Sequence, residues 1–133
     1  MTDNKKLMID ESQKTFSPQE KAIADLLASE GKKVKALLET NQGRTADAEV
    51  DGIPTEFKSL SMGATNNTLK NQISNSIKRG GQARQIIIDG RNSGLTEAEA
   101  KLGLQRAKNI SRGRIDKVRI IGDDYDISFT EFQ

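Results

Sequence analysis

Residues 44–60, RTADAEVDGIPTEFKSL, bring Asp47, Glu49, Asp51, Glu56 and Lys58 together in one short stretch. Asp47, Glu49 and Asp51 alternate with Ala48 and Val50, which is the period of a strand. Asp51-Gly52 between Val50 and Ile53 is a two-residue hairpin signal. With that pair as the loop, Val50 faces Ile53, Glu49 faces Pro54, Ala48 faces Thr55 and Asp47 faces Glu56. Directly opposed residues hold their Cβ atoms about 5 Å apart on one face. Asp47 and Glu56 are thus expected to aim into one space, with Lys58 further along that face and Phe57 turned toward the core. An opposed carboxylate pair destabilises a hairpin unless a cation lies between its members. The plainer alternative is a solvent-facing hairpin whose charges only discourage edge-to-edge aggregation.

Which cation, and for what chemistry, is bounded by composition. The 133 residues include no His and no Cys. Imidazole and thiolate are therefore unavailable as base, nucleophile or metal ligand, and no disulfide framework exists. Catalysis must come from carboxylates, Lys, Tyr or hydroxyls, or from a hard cation held by oxygen ligands, for which magnesium or manganese is suited. The chain has a net charge of +2, unevenly spread. Between Ser61 and Arg119 twelve Lys or Arg face only Asp89, Glu97, Glu99 and Asp116. That excess is either a solvated basic face or a surface for a polyanion. No run of 18 apolar residues is present and the start, MTDNKKLMIDES, is too polar for a signal peptide, so no stable membrane association is expected of this domain.

The elements that must position these residues follow from local signals. Residues 1–14 read as a polar tail or linker, and residues 15–133 as one domain. FSPQEKAIADLLASEG opens a helix with Ser17 as N-cap, Pro18 in the first turn, Glu20 as capping-box partner and Gly31 as stop. KKVKALLE reads as a strand closed by a turn at TNQGR, and the hairpin follows. NTLKNQISNSIKRGG carries Leu69, Ile73 and Ile77 at helical spacing before a double-glycine stop. ARQIIID is a short buried strand, LTEAEAKLGLQRAKN a second capping-box helix from Thr96 with Glu99, and DKVRIIGDDYDISF two strands. The order α-β-β-β-α-β-α-β-β predicts an α/β (α+β) domain with a mixed central sheet flanked by helices.

Asp47, then Glu56-Phe57-Lys58 on the next strand, with Glu20 in the helix ahead, resembles the active-site pattern of the PD-(D/E)XK nuclease superfamily. Ala46 stands where that pattern has proline. The string DGIPTEFKS and the later ISNSIKRGGQARQIIID are more narrowly similar to the C-terminal tRNase toxin domains of contact-dependent growth inhibition effectors. The resemblance implies a PD-(D/E)XK-like fold and a metal-dependent endonuclease toxin acting on tRNA, used in bacterial competition. It implies Asp47, Glu56 and the Phe57 carbonyl as ligands of a divalent ion: magnesium, or else manganese or zinc. Lys58 would orient water or stabilise charge on phosphorus, and Glu20 would join the catalytic set unless it serves only the helix cap. Gln72 occupies a helical position where relatives carry a polar active-site residue, and Glu49 reads as solvated or supporting. Lys78, Arg79, Arg84, Arg106, Arg112 and Arg114 are the expected phosphate contacts. The resemblance also implies a cognate immunity protein as inhibitor, a host translation factor for some relatives, and delivery from a cell-surface effector into the target-cell cytoplasm. A metal-dependent DNase and a non-catalytic nucleic-acid-binding module are the alternatives.

Overall fold

Seven strands form one sheet whose spatial order is the order of the chain. They are β1 (Ile9–Asp10), β2 (Val34–Ala36), β3 (Ala48–Val50), β4 (Ile53–Ser59), β5 (Gln85–Asp89), β6 (Lys117–Ile121) and β7 (Asp126–Phe129). Among the described residues three helices, α1 (Pro18–Ser29), α2 (Asn66–Lys78) and α3 (Glu97–Ala107), connect β1 to β2, β4 to β5 and β5 to β6. Each of these three strand pairs is parallel, while β2–β3, β3–β4 and β6–β7 are antiparallel. The structure is a computed structural model and describes residues 8–38, 46–78, 83–108 and 115–130. The expected turn at TNQGR and the double-glycine stop both lie entirely outside those residues.

Strand alternation divides the core in two. Phe57, Ile87 and Ile121 face α1 and pack with Phe16, Ile23, Leu27, Val34, Ala48 and Val50. Ile86, Ile88, Val118 and Ile120 face the other way, against Leu69, Ile73 and Ile77 of α2 and Leu104 of α3. Ile23, Leu27, Leu69, Ile73, Ile86, Ile88, Leu104 and Ile120 are all fully buried. Each such side chain contributes about 1.5–3 kcal/mol relative to exposure. With only Phe and Tyr as aromatic residues, the helix–sheet layers are filled almost entirely by aliphatic side chains.

Three local expectations need correction. Ile9–Asp10 is not part of a tail: it pairs in parallel with Val34 and Lys35, too short a segment to show any periodicity in sequence. The strand expected over KKVKALLE is ordered as β only at Val34–Ala36, where both neighbours supply partners. The Thr96 hydroxyl accepts the Glu99 N–H as a cap should. The Glu99 carboxylate, however, does not return to Thr96. It accepts the Asn66 backbone N–H at 2.8 Å and side-chain N–H at 3.0 Å, so α3 caps the start of α2. An acceptor from another element satisfies an otherwise unpaired first-turn donor and places negative charge at the positive end of the helix.

Candidate active site

The β3–β4 hairpin adopts the register its sequence implies: Val50 opposite Ile53, Glu49 opposite Pro54, Ala48 opposite Thr55. Asp51 and Gly52 both have positive φ, 50° and 84°, the mirror-image turn that suits the strand twist. Asp51 also accepts the Lys33 N–H at 2.8 Å, which ties the turn to the segment entering β2. β3 begins at Ala48, so Asp47 lies one step beyond the ladder. Continued, that ladder would pair Phe57 with Ala46; instead the Phe57 N–H donates to Asp47 Oδ2 at 2.8 Å. The Phe57 carbonyl projects to the same strand edge as its N–H, toward Asp47.

Glu56 lies on the α2 side of the sheet, and Asp47, one step past the ladder, is near enough for the Glu56 charge to act on it. Glu56 is buried, at 8% exposure, and its Oε2 receives two donors: Lys58 Nζ at 2.9 Å and Ser76 Oγ at 3.0 Å. Asp47 is half-buried, and withdrawal from water pushes its carboxyl above the usual aspartate range. The Phe57 N–H opposes that rise; the charges of Glu56 and Glu20 add to it, and Lys14 moderates it.

Glu20 reaches this neighbourhood from α1. Its Oε1 accepts the Ser17 N–H at 2.9 Å while Ser17 Oγ accepts the Glu20 N–H, so the capping box is complete. Its Oε2 lies 3.8 Å from Lys14 Nζ. Phe16, beside the cap, stacks against Phe57 with ring centroids 5.7 Å apart and anchors α1 beneath the hairpin. Glu49 stands opposite Lys35 of β2, a cross-strand charge pairing. Gln72 is one helical turn before Ser76, so the two share a stripe of α2 on the Glu56 side.

Among the described residues no three acidic side chains are close enough to hold a metal ion by themselves. Two carboxylates and one backbone carbonyl remain, a donor set suited to magnesium, which keeps several waters and binds through one or two carboxylates plus substrate phosphate.

Of the expected phosphate contacts, Lys78, Arg84 and Arg106 fall within the described residues. Lys78 is exposed in the last turn of α2, the end nearer Ser76. Arg106 is at the opposite end, donating to the side chains of Asn66 and Asn67. Arg84 is held by Asp116, at 2.8 Å and 3.2 Å, so a phosphate would have to compete with that carboxylate. Arg79, Arg112 and Arg114 lie outside the described residues. Ser76 and Lys14 were not singled out from sequence. Ser76 is legible only as a serine one turn after Gln72 beside the apolar stripe, and Lys14 sits in the stretch read as tail.

The sequence profile of the contact-dependent growth inhibition CdiA C-terminal domain matches residues 44–127, which takes in the hairpin, α2 and everything through β6. Among curated proteins no relative matches by sequence. A chain of the CdiA-CT/CdiI toxin and immunity complex from Burkholderia pseudomallei superimposes with a TM-score of 0.70 at 19% identity, covering 92% of this chain and 98% of its own. At that identity the likeness is one of fold. With most of its length matched by the family profile, the chain belongs to the CdiA C-terminal domain family of contact-dependent growth inhibition.

Proposed function

We propose that this domain is the toxin of a contact-dependent growth inhibition effector and acts as a metal-dependent endonuclease on tRNA. The observation that supports the reading is the nearness of the Asp47 and Glu56 charges at the β3–β4 edge, with Lys58 ion-paired to Glu56. Asp47, Glu56 and the Phe57 carbonyl are the groups that would hold a divalent ion, for which magnesium fits best. Bound there, the ion supplies polarisation of a phosphodiester oxygen and an acidified water.

The chain's own residues do the rest. Burial of Glu56 and partial burial of Asp47 keep bulk water from competing for the carboxylates and strengthen every charge interaction in the site. Lys58 donates to a non-bridging phosphate oxygen or to the attacking water as negative charge accumulates on the phosphoryl group. Glu20 and Lys14 form an outer ion pair whose charges make small, opposed contributions at Asp47, after burial, the Phe57 N–H and Glu56. Lys78, beside the Ser76 end of α2, is the described basic residue best placed to meet the RNA backbone.

A toxin of this kind requires protection of the producing cell, and the likeness in fold to a chain of a toxin and immunity complex supports a cognate immunity protein as the inhibitor. Entry into the target-cell cytoplasm follows from a tRNA substrate, and a host translation factor that presents tRNA is a further candidate partner.

One incubation with magnesium of total tRNA, ribosomal RNA and plasmid DNA, beside Glu56→Gln, tests the reading. Discrete tRNA fragments are expected from the wild type and not from the variant, whose rate falls by about 100-fold or more. EDTA in excess abolishes cleavage. Degraded plasmid with intact tRNA would replace the tRNase reading with a DNase one, and undiminished cleavage in EDTA by a metal-stripped sample would reject the metal.

A further inference from the structure

We infer that Ser76 is a positioning residue for the metal site, acting through Glu56; this rests on the metal-dependent reading above. Helix α2 packs by Leu69, Ile73 and Ile77, all at most 4% exposed, and these account for its burial against the sheet. Ser74 and Ser76 flank that stripe and are equally buried, at 4%. Ser74 Oγ has no hydrogen-bond partner, the fate of a hydroxyl carried into the core without a purpose for its polarity. Ser76 Oγ instead meets Glu56 Oε2 at 3.0 Å, across the boundary between α2 and β4.

Lys58 takes the same oxygen at 2.9 Å. The two donors differ in what the reaction asks of them. Lys58 is charged, stands on a flexible stem and is required at the phosphate, so it must loosen its hold on Glu56. Ser76 is neutral, short and fixed in a helix. It stays on Oε2 when Lys58 turns to substrate and when a cation arrives. Holding one oxygen sets the plane of the carboxyl, and with it the direction in which Glu56 meets Asp47. Partners of this type that orient a ligating carboxylate usually contribute about 10- to 100-fold to metal affinity.

The test is titration of the full chain with Mn²⁺, read by calorimetry, for wild type, Ser76→Ala, Ser76→Thr, Glu56→Gln and the Ser76→Ala/Glu56→Gln double variant. Ser76→Ala is expected to bind Mn²⁺ roughly 10- to 100-fold more weakly, and Ser76→Thr to recover most of that loss. In the Glu56→Gln background, Ser76→Ala should change binding by less than about twofold, since its effect passes through Glu56. With RNA as substrate, kcat falls while KM is nearly unchanged, because Ser76 does not touch substrate. Thermal melting checks that each variant is folded. Should Ser76→Ala not fold, Ser76→Cys, a weak donor of similar volume, must show the same weakening. Mn²⁺ binding by Ser76→Ala within about twofold of wild type, or equal losses in both backgrounds, overturns the inference and leaves the nuclease reading standing. A wild type that binds no divalent ion overturns the reading itself, and the inference with it.

Discussion

Asp47 accepts the Phe57 N–H at 2.8 Å, yet its carboxyl is held above the usual aspartate range, first by withdrawal from water and then by the charges of Glu56 and Glu20. A carboxyl whose folded pKa is raised binds protons more readily in the folded state than in the unfolded one. Stability therefore falls as pH rises from the ordinary aspartate value through the folded one. Asp47→Asn keeps an acceptor for Phe57 and removes the charge. Without divalent ions it should be more stable than wild type at pH 7, with the advantage shrinking toward pH 4, as urea denaturation at the two pH values will show. A less stable variant at pH 7 would mean that the hydrogen bond outweighs the charge. The hairpin register that brings Asp47 near Glu56 was legible in the sequence because a two-residue Asp-Gly turn fixes it. What stayed hidden was the end of β3 at Ala48, since nothing in the residue types says that a carboxylate will replace a ladder partner. Ser76 was hidden for a related reason: its meaning depends on Glu56, twenty positions away.

Helices α2 and α3 meet at Gly103, where an added Cβ would lie 2.9 Å from both the Asn66 carbonyl oxygen and a Leu69 methyl. The Asn66 carbonyl belongs to the backbone of α2 and cannot turn aside. Gly103→Ala should therefore destabilise by about 1–3 kcal/mol, although alanine is the better helix former, with the loss measured by chemical denaturation. All three helices were readable, two of them because Ser17 and Thr96 are N-caps with Glu three residues later. The same pattern misassigned the Glu99 side chain: sequence shows a capping box, but only the tertiary arrangement shows Asn66 within its reach. Strands were less legible than helices. β1 has two residues and takes its stability from β2, and β2 itself keeps only three.

On the α1 face of the sheet, away from the site, Arg119 ties the helix to the β6–β7 edge. This side chain, 7% exposed, joins Glu30 at the end of α1 to Asp126 on β7. Glu30, a destabilising residue at a helix C-terminus, is compensated by that guanidinium. The Arg119 hydrogen bonds hold its carboxyl down to about 2, well below the ordinary glutamate value. With a depressed folded pKa, the contribution is present above the ordinary value of 4.5 and disappears as pH falls toward about 2. Glu30→Gln should lower stability at neutral pH, by about 1–2 kcal/mol, and flatten the loss of stability between those two pH values, as acid titration followed by circular dichroism will show. No sequence signal joins residues 30, 119 and 126, because their meeting depends on α1 lying across the far side of the sheet. Of the basic residues after Ser61, sequence alone did not show that Arg84 is engaged by Asp116 or that Arg106 lies at the far end of α2 from Lys78.

The order of the strands in the sheet has a kinetic consequence. Every strand lies beside its neighbour in the chain, so no ladder waits for a segment from a distant part of the sequence. Each parallel step spans one helix and each antiparallel step one connecting segment, which limits the loop that must close before each ladder can form. The sheet can also grow in one direction, each new strand adding to an edge already formed, with β4 and its Glu56 receiving β3 on one side before β5 and α2 close the other. A domain assembled in this way can regain its site after unfolding, without first having to undo misplaced strands.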